Sequence, residues 1–227
     1  MIVRGRNPSV RWARKSAARL GLINPFRDLF KEIEFETLAY CNRKCNYCPN
    51  VDYERFGEME NFFMKEEVFL TLIDQLVELE FEGQLAPHLY GEPMADPRLA
   101  NWVAHVCTKL PRSKVKIVTN GDFLNQKSYK ELIDSGVDRI NLSLYDGPEQ
   151  FKEFHEIMEN YKLSTDQVKL RRRYQQEGNY GITISNRTGL IDATEYKSKE
   201  DTIDTVFPIK KSCYSPFYQV AIDFNGD

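Results

Sequence analysis

Three of the chain's five cysteines, Cys41, Cys45 and Cys48, stand in the stretch CNRKCNYC at intervals of four and three residues. A single tight loop can turn three thiolates at this spacing toward one ion or one cluster. Structural zinc requires a closed shell of four ligands, usually from two separate pairs, and here a fourth would have to come from distant Cys107, Cys213 or one of three histidines. A low-coordinate site for a soft metal suits the triplet. So does an iron–sulfur cluster of four irons held by only three thiolates, which leaves one iron open to another ligand.

Further residues with chemistry follow at strand ends. YGEP (90–93) places Glu92, an acceptor for a ligand ammonium, beside Gly91, which allows close backbone approach. TNG (119–121) offers Asn120 and SLYD (143–146) offers Ser143 as hydrogen-bonding side chains, although ordinary turn chemistry explains both. In QVKLRRRY (167–174), Lys169, Arg171 and Arg173 alternate with Val168, Leu170 and Tyr174. The apolar face fits packing against helices, which leaves the basic face for a barrel interior and a carboxylate or phosphate there; a solvated edge strand explains the same run. His88, in PHLY, fits a barrel lumen but reads rather as a satisfied core histidine, and Cys107 reads as a small apolar residue of a helix.

These positions need elements to hold them, and from Ile33 onward strands alternate with helices, the pattern of a helix-covered parallel sheet. Residues 33–40 read as a strand running into the cysteine loop, with further strands over 84–90, 114–121, 139–146 and 167–174. Helical spacing covers 64–79, a segment opened by Asp96 as N-cap and Pro97 and continuing through Leu110, then 126–135 closed by Gly136, and 148–161. The expected fold class is α/β, five βα-type units in an open or closed barrel with its chemistry at the strand C-termini. Residues 1–30 form a basic N-terminal segment with Arg4, Arg6, Arg11, Arg14, Lys15 and Arg19, and residues 31–176 form the barrel. A solvated extension explains the basic segment, as does docking on an anionic surface or a transit peptide. Residues 177–227 comprise a connector rich in Gly, Asn, Thr and Ser and a final strand ending at the turn signal Asn225-Gly226.

Hydrophobic content of 41% and a net charge of −3 describe an ordinary globular chain with no overall demand for nucleic acid. No run approaches the roughly eighteen apolar residues of a membrane span. The odd cysteine count and tight clustering suit a reducing compartment, so a cytoplasmic location is expected.

The triplet, with Tyr47 just before its last cysteine, resembles the CxxxCxxC signature of the radical S-adenosylmethionine (radical SAM) enzymes, and the Gly-Glu, Thr-Asn-Gly and Ser-Leu-Tyr-Asp strand ends are similar to that family's cofactor positions in the same order. The resemblance covers residues 33–175 and implies a partial (βα)6-type barrel. It implies that Cys41, Cys45 and Cys48 bind three irons of a 4Fe-4S cluster and that S-adenosylmethionine chelates the fourth. Tyr47, Gly91, Glu92, Asn120, Ser143 and Arg171 would lie at the cofactor. An electron passed through the cluster, from a reductant such as flavodoxin or ferredoxin, would cleave the cofactor to a 5′-deoxyadenosyl radical that abstracts hydrogen from substrate. The implied activity is that of an oxidoreductase or related radical enzyme acting on a small polar, carbohydrate-like molecule or a peptide. CYSPFYQVAIDFNGD resembles the opening of a SPASM or twitch extension, in which Cys213 would precede a hairpin; as written the chain stops short, and an auxiliary cluster is expected only if the chain continues beyond Asp227. The reading from another class is a non-catalytic zinc or iron–sulfur module whose basic segment docks a partner.

Overall fold

The computed structural model describes residues 30–45, 48–50, 62–173 and 218–227. Six strands form one all-parallel sheet: β1 Glu32–Phe35, β2 Gln84–Ala86, β3 Lys114–Thr119, β4 Arg139–Leu144, β5 Val168–Arg172 and β6 Gln219–Ile222, in the spatial order β5-β4-β3-β2-β1-β6. The helices between them are α1 Glu66–Glu78, α2 Leu99–Lys109, α3 Gln126–Asp134 and α4 Pro148–Asn160. This is the expected partial barrel, open rather than closed. Register places Ile33 beside Leu85, Ile117 beside Ile140 and Leu142 beside Leu170, so branched side chains lie in rows across the sheet.

Those rows face the helices. On α1, Phe69, Leu72, Ile73 and Leu76 recur at helical spacing and are buried, and they join Trp102, Val103 and Val106 of α2 and the strand residues in one core. The Phe69 and Trp102 rings stack with centroids 4.1 Å apart. α3 begins with a capping box: Asn125 Oδ1 accepts from the backbone N–H groups of Lys127 and Ser128, and Ser128 Oγ accepts from that of Asn125. The other side of the strands is different in character, since β1 sets Glu32 and Glu34 in alternation with buried Ile33 and Phe35.

The first two strands stop earlier than periodicity suggested, at Phe35 and Ala86. After Glu36 the chain leaves the sheet to make other hydrogen bonds. Leu38 bridges Phe63 in antiparallel fashion, the Thr37 carbonyl accepts from Met64 N, and the Tyr40 carbonyl accepts from Glu92 N. α2 starts at Leu99, two residues after Pro97, and the buried Asp96 carboxylate accepts from the Arg98 backbone N–H and from its guanidinium at 2.8–2.9 Å. Arg98 also donates to the carbonyls of Met64 and Thr37, bracing the exit of β1.

Gln219–Ile222, the strand expected before the Asn225-Gly226 turn, pairs in parallel with β1, Ile33 beside Val220 and Phe35 beside Ile222. An unpartnered edge of β1 would leave backbone donors and acceptors exposed, and this strand satisfies them. The Asn225-Gly226 turn forms as anticipated: Asp223 Oδ1 accepts from the N–H groups of Asn225, Gly226 and Asp227. Tyr47, Cys213, the connector and the basic N-terminal segment lie outside the described residues.

Candidate active site

The C-terminal strand ends surround one cavity of about 610 Å³, lined by Cys41, Cys45 and Cys48 from the loop after β1, by Gly91 and Glu92 after β2, by Asn120 after β3, by Ser143 on β4 and by Arg171 on β5. Every described residue singled out from the sequence as metal- or cofactor-binding is therefore brought to one place. Lys169, expected to share the interior with Arg171 and Arg173, does not line this cavity and is exposed.

The cysteine loop leaves β1 through a buried acid. Glu36 is fully buried, and its Oε1 accepts from the backbone N–H groups of Tyr90 and Gly91 at 3.0 and 2.9 Å. With the Glu92 N–H donating to the Tyr40 carbonyl at 2.8 Å, this holds the Gly-Glu loop flat against residues 38–40. Only glycine fits there: a Cβ on residue 91 would lie 1.9 Å from the Leu38 carbonyl oxygen. Glu92 is also buried, and its carboxylate accepts from Met94 N, from Thr119 Oγ1 at 2.6 Å and from Asn120 N at 2.8 Å. Burial pushes this carboxyl upward, opposed by those three donors. Glu92 thus joins β2 to β3 and retains acceptor capacity for one further donor.

Asn120 continues the chain of contacts, donating to Asn42 Oδ1 at 2.8 Å and approaching Cys41 Sγ at 3.9 Å. The Cys41 sulfur accepts from the Arg43 backbone N–H at 3.4 Å. Burial pushes the Cys41 thiol up to about 11, partly offset by that N–H, while Glu92 and the other two thiols add to the rise. Among the described residues no three cysteine, histidine or acidic side chains stand close enough to share a single ion.

Arg43, inside the triplet, makes four hydrogen bonds of 2.6–2.7 Å to Asp122 and Asp146, the residues that end TNGD and SLYD. Its side chain lies over the Tyr145 ring, 5.6 Å from the centroid. Burial raises the Tyr145 phenol to about 12, against a hydrogen bond with the buried Ser143.

Below the cysteines the cavity is polar. Lys116 pairs with Glu32 at 2.5 Å, and Gln84 donates to the same carboxylate oxygen at 2.7 Å. His88 Nε2 stands 3.7 Å from Glu34, while its Nδ1 is buried without a partner. His88 is therefore not the satisfied core histidine expected from the sequence; it lines the cavity. Burial, with Lys116 and Arg171 nearby and Glu32 opposing them, lowers it to about 4 and keeps it neutral near pH 7. Sequence reasoning missed Arg43, Asp122, Asp146, Glu34, Glu36, Lys116 and Tyr145. The one available signal was the alternation of Glu32, Glu34 and Glu36 with apolar residues along β1, which sets three acids on the phase opposite the core.

The family model for the radical SAM superfamily matches residues 35–200. The chain belongs to the radical SAM superfamily. Enzymes of that superfamily use a 4Fe-4S cluster and S-adenosylmethionine. This radical SAM chain is 32% identical over 173 residues to the S-adenosyl-L-methionine-dependent 2-deoxy-scyllo-inosamine dehydrogenase of Niallia circulans, a match that covers 75% of the chain and 64% of that relative. The chain therefore spans slightly less than two thirds of that relative's length. It is 32% identical over 108 residues to the PqqA peptide cyclase of Granulibacter bethesdensis, covering 47% of the chain and 26% of that protein. The crystal structure of BtrN in complex with AdoMet and 2-DOIA superposes with a TM-score of 0.67 at 27% identity, covering 86% of the chain and 70% of BtrN. Among the described residues, no helix is long and apolar enough to cross a membrane.

Proposed function

We propose that this chain cleaves S-adenosylmethionine reductively and removes a hydrogen atom from a small, polar, hydroxyl- or amine-bearing molecule. The observation that carries the reading is one cavity lined by three half-buried thiols together with Glu34, His88, Lys116 and Arg171. Cys41, Cys45 and Cys48 would hold three irons of the cluster, leaving the fourth to the amino and carboxylate groups of the cofactor. Gly91, Glu92, Asn120 and Ser143 would bind its methionyl and ribose groups, with Tyr47 beside the cluster and Arg171 paired to a carboxylate. When bound, cluster and cofactor supply a 5′-deoxyadenosyl radical; the protein supplies position and exclusion.

The chain's own residues then determine what enters. Neutral His88 with its Nε2 toward Glu34 offers donor and acceptor character to hydroxyl groups, and Arg171 favours an electron-rich one. Cofactor and substrate would share about 610 Å³, which favours a ring-sized substrate over a peptide. The dehydrogenase from Niallia circulans, named for an aminocyclitol, supports the same class. A flavodoxin or ferredoxin would supply the electron.

Anaerobic reconstitution tests this. About four irons per chain and 5′-deoxyadenosine formation after reduction, both lost in Cys45→Ala, are expected. A protein that binds zinc stoichiometrically and cleaves nothing would refute it.

A further inference from the structure

We infer that Arg43 is a positioning residue that sets the cysteine loop in register with the ends of β3 and β4, and hence the cluster in register with the cofactor; this rests on the proposed cluster at Cys41, Cys45 and Cys48. Arg43 sits two residues from both Cys41 and Cys45 and donates through Nε and both Nη atoms to two carboxylates at once. Its partners are 79 and 103 residues away in sequence. Asp122 lies two residues after Asn120 and donates its backbone N–H to Asn120 Oδ1 at 2.9 Å, and Asp146 lies three after Ser143. The same arginine therefore reaches the two strand ends that carry the proposed cofactor contacts.

Asn42 strengthens the tie, donating to Asp122 Oδ2 at 2.6 Å while accepting from Asn120. Burial would raise the Asp122 carboxyl, but hydrogen bonds from Arg43 and Asn42 hold it below its ordinary value. Arg43 is 20% exposed and Asp122 27%, so this arm is sheltered enough to matter, whereas Asp146 at 55% is the weaker arm. Two forked contacts demand a planar guanidinium. A lysine could satisfy only part of them.

The clamp also carries charge: one guanidinium against two carboxylates leaves a net negative charge close to the thiolates. Removing Arg43 should lower the cluster's reduction potential, and neutralising Asp146 should raise it, because the reduced cluster holds one more electron. A purely structural role would not produce shifts of opposite sign.

The test compares wild type with Arg43→Met, Arg43→Lys and Asp146→Asn. Amide exchange at residues 41–45 in the cluster-free chain should quicken about tenfold in Arg43→Met and less in Arg43→Lys. In the reconstituted enzyme, kcat for S-adenosylmethionine cleavage should fall about tenfold or more in Arg43→Met at saturating cofactor, with the midpoint potential moving down there and up in Asp146→Asn. Exchange, kcat and potential all at wild-type values in Arg43→Met would overturn the inference. Should Arg43→Met fail to fold, the milder Arg43→Lys and Asp146→Asn carry the decision, and wild-type behaviour in both overturns it equally. A wild type that takes up no iron refutes the functional reading instead, and the exchange comparison, made without metal, keeps the two failures apart.

Discussion

Replacing Gly91 by alanine should unfold the site from its centre. The added Cβ would stand 1.9 Å from the Leu38 carbonyl oxygen, 3.0 Å from the Leu38 carbonyl carbon and 3.1 Å from the Tyr40 oxygen. All three are backbone atoms, so no side chain can rotate away, and ordinary contact requires the two loops to part by more than an ångström. Overpacking of this kind costs about 1–3 kcal/mol. Parting the loops also stretches the Glu92 N–H bond to the Tyr40 carbonyl and the pair of N–H bonds to buried Glu36 Oε1. Buried groups left without partners add about 1–3 kcal/mol, so the total is about 2–6 kcal/mol. Urea titration, with a slope of about 2–3 kcal/mol/M, should show the midpoint lowered by about 1–3 M. Gly147→Ala is the matched control: its φ of +98° is unfavourable for alanine, yet no heavy atom lies within 4 Å of the added carbon. With ψ at −169° it should lose only the penalty of this glycine-favouring backbone, about 1–3 kcal/mol. Equal losses in the two variants, or a Gly91→Ala protein within about 1 kcal/mol of wild type, would refute the close-approach reasoning.

Glu92→Gln should cost about 1–3 kcal/mol, because an amide NH₂ at one of the two oxygen positions cannot accept from Asn120 N or from Thr119 and Met94; thermal denaturation reads this, and an unchanged melting temperature would show the carboxylate to be dispensable for joining β2 to β3. His88 titrates near 4 in the folded chain, below its ordinary 6.5, so between those values the unfolded chain binds more protons and stability falls as pH falls. The shift corresponds to at most about 3 kcal/mol. His88→Gln should flatten that segment of a stability–pH profile between pH 6.5 and 4, and an identical slope in both proteins would place the effect elsewhere.

The cysteine triplet and the three polar strand ends were legible because each is a local pattern: a spacing within one loop, or a turn residue closing an apolar run. Helices and strands were legible for the same reason, since side-chain burial repeats every 3.6 or 2 residues. Boundaries were less so. β1 ends at Phe35 because residues 37–40 find partners in Phe62, Met64 and Glu92 rather than in the sheet, a competition decided by distant segments. Asp96 was read as a helix cap from local context, and its carboxylate does accept a backbone N–H there, but it also pairs with the Arg98 guanidinium that reaches the Met64 and Thr37 carbonyls, a link local context does not name.

By itself, then, the sequence determined the order of α and β elements, the polar residue at each strand end and the thiolates that a cluster would need, all of which depend on neighbours within a few residues. Tertiary structure alone decided which phase of each strand faces the cavity at a given height, so that His88 meets Glu34 and Lys116 meets Glu32. It also decided that residues 219–222 extend the sheet beside β1, and that Arg43 spans to Asp122 and Asp146. Those pairings join residues dozens of positions apart or more, and nothing in the local chemistry of an arginine or a strand names its partner; chain closure and the burial of the common core bring the partners together.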